Sequence, residues 1–130
     1  MKVRYFDIDG KWGILLCYDY TKKDYPGIWS VMRTFGLPDE KAEAAMGVLS
    51  KEDTGMTLTS FKEKMSVLFI SGSSSDDEWF DSLVHELKHV VEHIGEYYDV
   101  DPRGEPSAYL QGEIGRQFFP MIIDRFCPTS

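Results

Sequence analysis

Cysteine is scarce in this chain of 130 residues: only Cys17 and Cys127 occur, and neither belongs to a CxxC pattern. That excludes a disulfide framework. The two read instead as one small buried hydrophobe and one free thiol near the tail, which suits a reducing compartment. Basic residues are also few, with 14 Lys and Arg against 22 Asp and Glu and a formal net charge of −8. Phosphate backbones and anionic lipid surfaces are both met by dense Lys and Arg. Neither nucleic acid nor a membrane is therefore expected as a partner. No apolar run is long enough to cross a bilayer. The opening MKVRYFDIDG lacks the apolar stretch of a signal peptide, so a cytoplasmic protein is the default expectation. Repeats and Pro-rich or Gln-rich tracts are missing.

What is present suits one packed domain over residues 1–130. Apolar residues make up 42% and charged residues 28%, which excludes disorder as the default. The length allows a core without staples. Val3 to Ile8 and Trp12 to Tyr18 predict a hairpin around the Asp9-Gly10 turn. Ile28, Trp29, Met32 and Phe35 recur at helical spacing, so a helix is expected from Pro26 to Phe35, ended by Gly36. Pro38 opens another through Leu49. Met56 to Ser60 and Ser66 to Ile70 read as short strands, and Ser71 to Ser75 as a flexible loop. A long helix follows from Asp76 to Tyr97, with three acids in its first turn and Gly95 as its stop region. A last helix should run from Glu105 to Phe119, with Pro106 in its first turn, Pro120 perturbing or ending it, and Met121 to Phe126 as a further turn. Helices and strands are segregated. The expected class is α+β, a small and mostly antiparallel sheet packed on helices. The aromatics Trp12, Tyr18, Tyr20, Tyr25, Trp29 and Phe35 read as core of the first half.

The chemistry concentrates in one helix. All three histidines lie between positions 85 and 93. With each residue advancing ~100°, His85, His89, Ser82, His93 and Glu86 fall within about 100° of arc. Trp79, Phe80, Leu83, Val84, Leu87, Val90, Val91 and Ile94 fill the adjoining core face. Histidines four apart project from one face and can hold one zinc ion. The glutamate between them points to the flank, where it reaches a metal-activated water rather than the metal. It can take that proton as general base. The same residues would also suit a merely solvated helix surface.

A catalytic zinc takes three protein ligands and keeps one open position. Glu105 is the expected third ligand. It begins the helix after the loop, and the small residues Ala108 and Gly112 would let the two helices approach closely. His93 sits ~6 Å further along the axis than His89, too far for one ion on a straight helix, and suits a supporting or exposed role. Asp99 and Asp101 are alternatives better suited to turns and caps, and Glu113 suits the surface.

HELKH at 85–89 followed by GEPSAYLQG at 104–112 resembles the gluzincin metallopeptidases, in which a glutamate on the helix after HExxH completes the metal site. The small size, with strands before the metal helix and one helix after it, is similar to the minimal minigluzincins of bacterial and phage-derived sequences. The resemblance covers roughly Met65 to Phe119. It implies a zincin-like fold and a zinc peptidase acting on peptide or protein substrates. His85, His89 and Glu105 would be metal ligands and Glu86 the base and acid. It also implies that the strand Ser66 to Ile70 is the edge that pairs with substrate, with Tyr98 or Tyr109 as candidates to steady an oxyanion. A catalytically idle relative that binds a partner, as a regulatory or phage-derived protein, is the alternative function.

Overall fold

A computed structural model describes residues 1–51, 55–72 and 75–127. Among them the chain runs through β1 (Lys2–Ile8), β2 (Trp12–Tyr20), a 3-10 turn (Lys22–Asp24), α1 (Tyr25–Phe35) and α2 (Asp39–Lys51). It continues with β3 (Gly55–Ser60), β4 (Met65–Ser71), α3 (Asp76–Tyr98) and α4 (Glu105–Phe126). The class is α+β, with the strands in the order β1-β2-β4-β3. β1 pairs β2 and β3 pairs β4 antiparallel, while β2 and β4 run parallel. The sheet is therefore mixed. The parallel pair arises because the chain leaves β2, crosses one face as α1 and α2, and re-enters from the edge through the β3–β4 hairpin.

The first hairpin follows from its turn. Asp9 and Gly10 both have positive φ, 53° and 67°, and the Lys11 N–H donates to the Ile8 carbonyl at 2.9 Å. This mirror-image turn matches the twist of the flanking strands. β2 then serves two cores. Trp12, Ile14, Leu16 and Tyr18 join Leu68 and Ile70 against Trp79, Leu83, Val90 and Ile94 of α3 and Ile114, Phe118 and Met121 of α4. On the other face Cys17 and Tyr20 join Val67 and Phe69 against Ile28 and Met32 of α1 and Ala42, Ala45 and Leu49 of α2. Tyr18 and Tyr20 enter different cores although they are two residues apart. Asp19, with φ 55°, sits where the pairing with β4 slips, and this bulge turns the strand over. Burial pushes the Cys17 thiol up to about 11, so it behaves as a small hydrophobe.

Several expectations are corrected. Ser66–Ile70 is not an edge strand. β4 lies between β2 and β3, and its residues from Ser66 to Ser71 are buried. Apolar residues of both parities in Val67–Ile70 are what two-sided burial requires. The exposed edge beside α3 is β3. α3 ends at Tyr98, one residue past the expected Tyr97, and Gly95 lies within its last turn rather than supplying its left-handed end. Asp99 takes the left-handed position instead (φ 56°), and the Val100 N–H closes the end on the Gly95 carbonyl at 2.8 Å. Phe80 and Val84 are exposed rather than core, because α3 buries a narrower arc. α4 passes through Pro120 as one helix to Phe126. Ser71 belongs to β4, and Ser73 and Ser74 of the expected loop lie outside the described residues.

The end of α4 is fastened to the start of α3. The Arg125 guanidinium lies 4.2 Å from the Trp79 ring centroid and bonds to Asp19 at 3.0 Å and Asp76 at 3.2 Å. α3 is thereby held against the sheet with its histidine stripe toward the β3 side. No described helix is long and apolar enough to cross a membrane.

Candidate metal centre

Ser75 caps the start of α3, and its hydroxyl donates to Asp77 at 2.7 Å. That bond, with backbone N–H groups of the first turn, holds the Asp77 carboxyl below its usual range. Acids at this end complement the helix dipole. Two turns on, the helix presents His85 exposed and His89 half-buried. Their Nε2 atoms lie 3.3 Å apart, with ring centroids at 5.0 Å and planes at 76°. Two nitrogens each ~2.0–2.1 Å from one tetrahedral ion would stand about 3.3–3.4 Å apart. The separation matches two corners of a tetrahedral zinc site, and at this distance one ring nitrogen also hydrogen-bonds the other.

Glu86 does not lie open beside them. It is only 7% exposed and turns toward β3, where the Thr57 hydroxyl donates to its Oε1 at 2.9 Å. Gly55 makes this approach fit: a Cβ there would come 2.8 Å from the Phe69 carbonyl oxygen and 3.3 Å from Glu86 Cγ. Two residues along the same strand face, Thr59 lies 2.8 Å from His93 Nδ1. The His93 ring is flanked by Phe61 at 5.9 Å and by His89 at 6.4 Å between centroids. β3 therefore carries two threonines that hold two residues of the α3 stripe, while Met56 and Leu58 face the opposite core. Sequence reading missed both threonines. Their signal was the alternation Thr57-Leu58-Thr59 in a strand, where residues i and i+2 share a face.

The remaining candidates fall elsewhere. In the first turn of α4, Ser107 lines a small cavity with Val91, Glu92, Gly95, Glu96 and Val100. Glu105 is exposed at the start of α4. Among the described residues, no three His, Cys, Asp or Glu side chains are gathered around one ion position. Ala108 and Gly112 do not form the helix contact either. Both are exposed, and a Cβ on Gly112 would meet nothing within 4 Å. Leu110, Ile114 and Phe118 make the contact instead.

Asp101 accepts from the Arg103 N–H at 2.9 Å as a turn residue, and Glu113 pairs with Arg116 at 2.6 Å. Tyr98 donates to the Lys11 carbonyl at 3.0 Å, and Tyr109 is 74% exposed. Both tyrosines line a cavity of about 490 Å³ with Ile8, Trp12, Ile94 and Pro106, on the α4 side of α3. No protein-family model, curated protein or solved structure matches this chain.

Proposed function

We propose that this chain is a zincin-like, zinc-dependent metallopeptidase domain that hydrolyses peptide bonds. In this reading His85 and His89 are zinc ligands, Glu86 is general base and acid, and Glu105 is the carboxylate assigned to the third position. The observation that carries the reading is the 3.3 Å convergence of two imidazole nitrogens on one accessible helix face, next to a buried carboxylate. When bound, zinc supplies Lewis-acid activation of water and of a substrate carbonyl. The protein supplies the rest. Thr57 fixes Glu86 through Oε1, so Oε2 is left to take and return a proton without the side chain swinging. β3 is an outer strand beside α3, and among the described residues no strand pairs with its outer edge, which suits addition of an extended peptide. That role passes to β3 from Ser66–Ile70.

A second reading, a catalytically idle relative that binds a partner, is favoured by one observation. His85 and His89 converge, but among the described residues no third His, Cys, Asp or Glu side chain joins them around one ion position. One experiment separates the two. Zinc-loaded protein is incubated with an internally quenched peptide library beside its Glu86→Gln variant. Cleavage by the wild type alone supports the peptidase. Zinc uptake without cleavage supports the idle relative.

A further inference from the structure

A line of hydrogen bonds crosses the sheet and ends beside the histidine pair. The Trp12 indole N–H donates to Ser66 Oγ at 3.1 Å, Ser66 Oγ lies 2.8 Å from Thr59 Oγ1, and Thr59 Oγ1 lies 2.8 Å from His93 Nδ1. Trp12 and Ser66 are both buried. Chemistry sets the direction of this line. An indole N–H can donate but not accept, and a serine hydroxyl has one proton to give. Among the described residues Ser66 Oγ bonds only to Trp12 and Thr59. Its proton therefore goes to Thr59, and the Thr59 proton goes on to His93 Nδ1, which must be an acceptor. The opposite direction would leave the Ser66 proton buried with nothing to receive it, an arrangement native structures avoid.

We infer that the relay Trp12–Ser66–Thr59 holds His93 as the neutral Nε2–H tautomer, making it a hydrogen-bond donor to a peptide carbonyl oxygen at the His85–His89 centre. The role toward substrate rests on the metallopeptidase reading; the tautomer does not. A protonated Nε2 has no lone pair for a metal, so the relay assigns His93 to donation rather than ligation. Its ring stands alongside that of His89, with centroids 6.4 Å apart and planes within 27°, on the same stripe. Phe61 steadies its edge.

The test has two arms. In metal-free, 15N-labelled full-length protein at about pH 8, where an ordinary imidazole is neutral, two-bond proton–nitrogen correlations report which His93 nitrogen carries the proton. The expected result is a protonated Nε2 and a bare Nδ1 in the wild type and in Thr59→Ser, with the tautomers redistributed in Thr59→Val. A protonated Nδ1 in the wild type, or a Thr59→Val spectrum identical to wild type, overturns the relay. In the second arm, zinc-loaded protein is titrated with a phosphinic peptide, whose oxygens mimic the attacked carbonyl. His93→Phe should weaken the phosphinic peptide about tenfold, the loss of one hydrogen bond, and leave zinc affinity within about twofold. Unchanged phosphinate affinity, or a zinc loss as large as that of His89→Ala, overturns the donor role. A wild type that takes up no zinc removes the metallopeptidase reading and the substrate role with it, and the tautomer then stands or falls on the first arm alone.

Discussion

Replacing Thr57 with valine removes one hydroxyl and almost no volume, yet it strips a buried carboxylate of its donor. Thr57 Oγ1 donates to Glu86 Oε1 at 2.9 Å, and Glu86 is 7% exposed, so solvent cannot readily take over the bond. Hydrogen bonds to charged groups contribute roughly 1.5–3 kcal/mol, and a buried acceptor left unmet costs a similar amount. Because Thr57 itself is only half-buried, a loss of ~2 kcal/mol is expected. In a domain of this size that corresponds to a fall in Tm of about 6–10 °C. Glu86→Gln keeps the shape and an acceptor oxygen but removes the charge, so the valine substitution should then cost about 1 kcal/mol or less. Urea denaturation of wild type, both single variants and the double variant measures the coupling directly. Coupling of about 1 kcal/mol is expected. Equal costs of Thr57→Val in both backgrounds, within about 0.5 kcal/mol, would mean that the hydroxyl does not hold the carboxylate.

Glu86→Gln should retain zinc while abolishing hydrolysis, whereas His85→Ala and His89→Ala should lose zinc; elemental analysis showing equal zinc loss in Glu86→Gln and His89→Ala would refute Glu86 as the base. Glu105→Ala should weaken zinc binding more than His93→Ala does, and competitive chelator titrations giving the reverse order would remove Glu105 from the ligand set. Gly55→Ala should destabilise by ~1–3 kcal/mol, because the new methyl meets the Phe69 carbonyl oxygen at 2.8 Å and a neighbouring strand cannot give way as a side chain can. Urea denaturation with an unchanged midpoint would contradict that crowding.

The parts legible in the sequence were those with local causes. Asp9-Gly10 dictates its own turn, Gly36 supplies the left-handed residue (φ 108°) that ends α1, and the four-residue spacing of His85 and His89 brings their nitrogens together. The parts that were not legible depend on partners distant in sequence. Glu86 sits at the border between the polar stripe and the core arc, and its partner, the Thr57 hydroxyl, lies across the β3 interface. Gly95 carries a local stop signal, but the left-handed residue that ends α3 is Asp99, and the Val100 N–H reaches back to the Gly95 carbonyl. Strand order is a matter of pairing rather than pattern, although the two-sided apolar run of β4 did contain the sign of an interior strand. Spacing along the chain likewise does not say which flank of α3 receives α4. The first turn of α4 shares a small cavity with Val91, Glu92, Gly95 and Glu96 of α3.

Zinc titration of the metal-free protein, followed by thermal unfolding with and without the ion, tests the central claim most directly. One equivalent per chain should bind. At a free concentration one hundred times the Kd, stability should rise by about 2.7 kcal/mol, and both effects should vanish in His85→Ala and in His89→Ala. A wild type that stays metal-free when zinc is added back, with an unchanged Tm, would contradict the account.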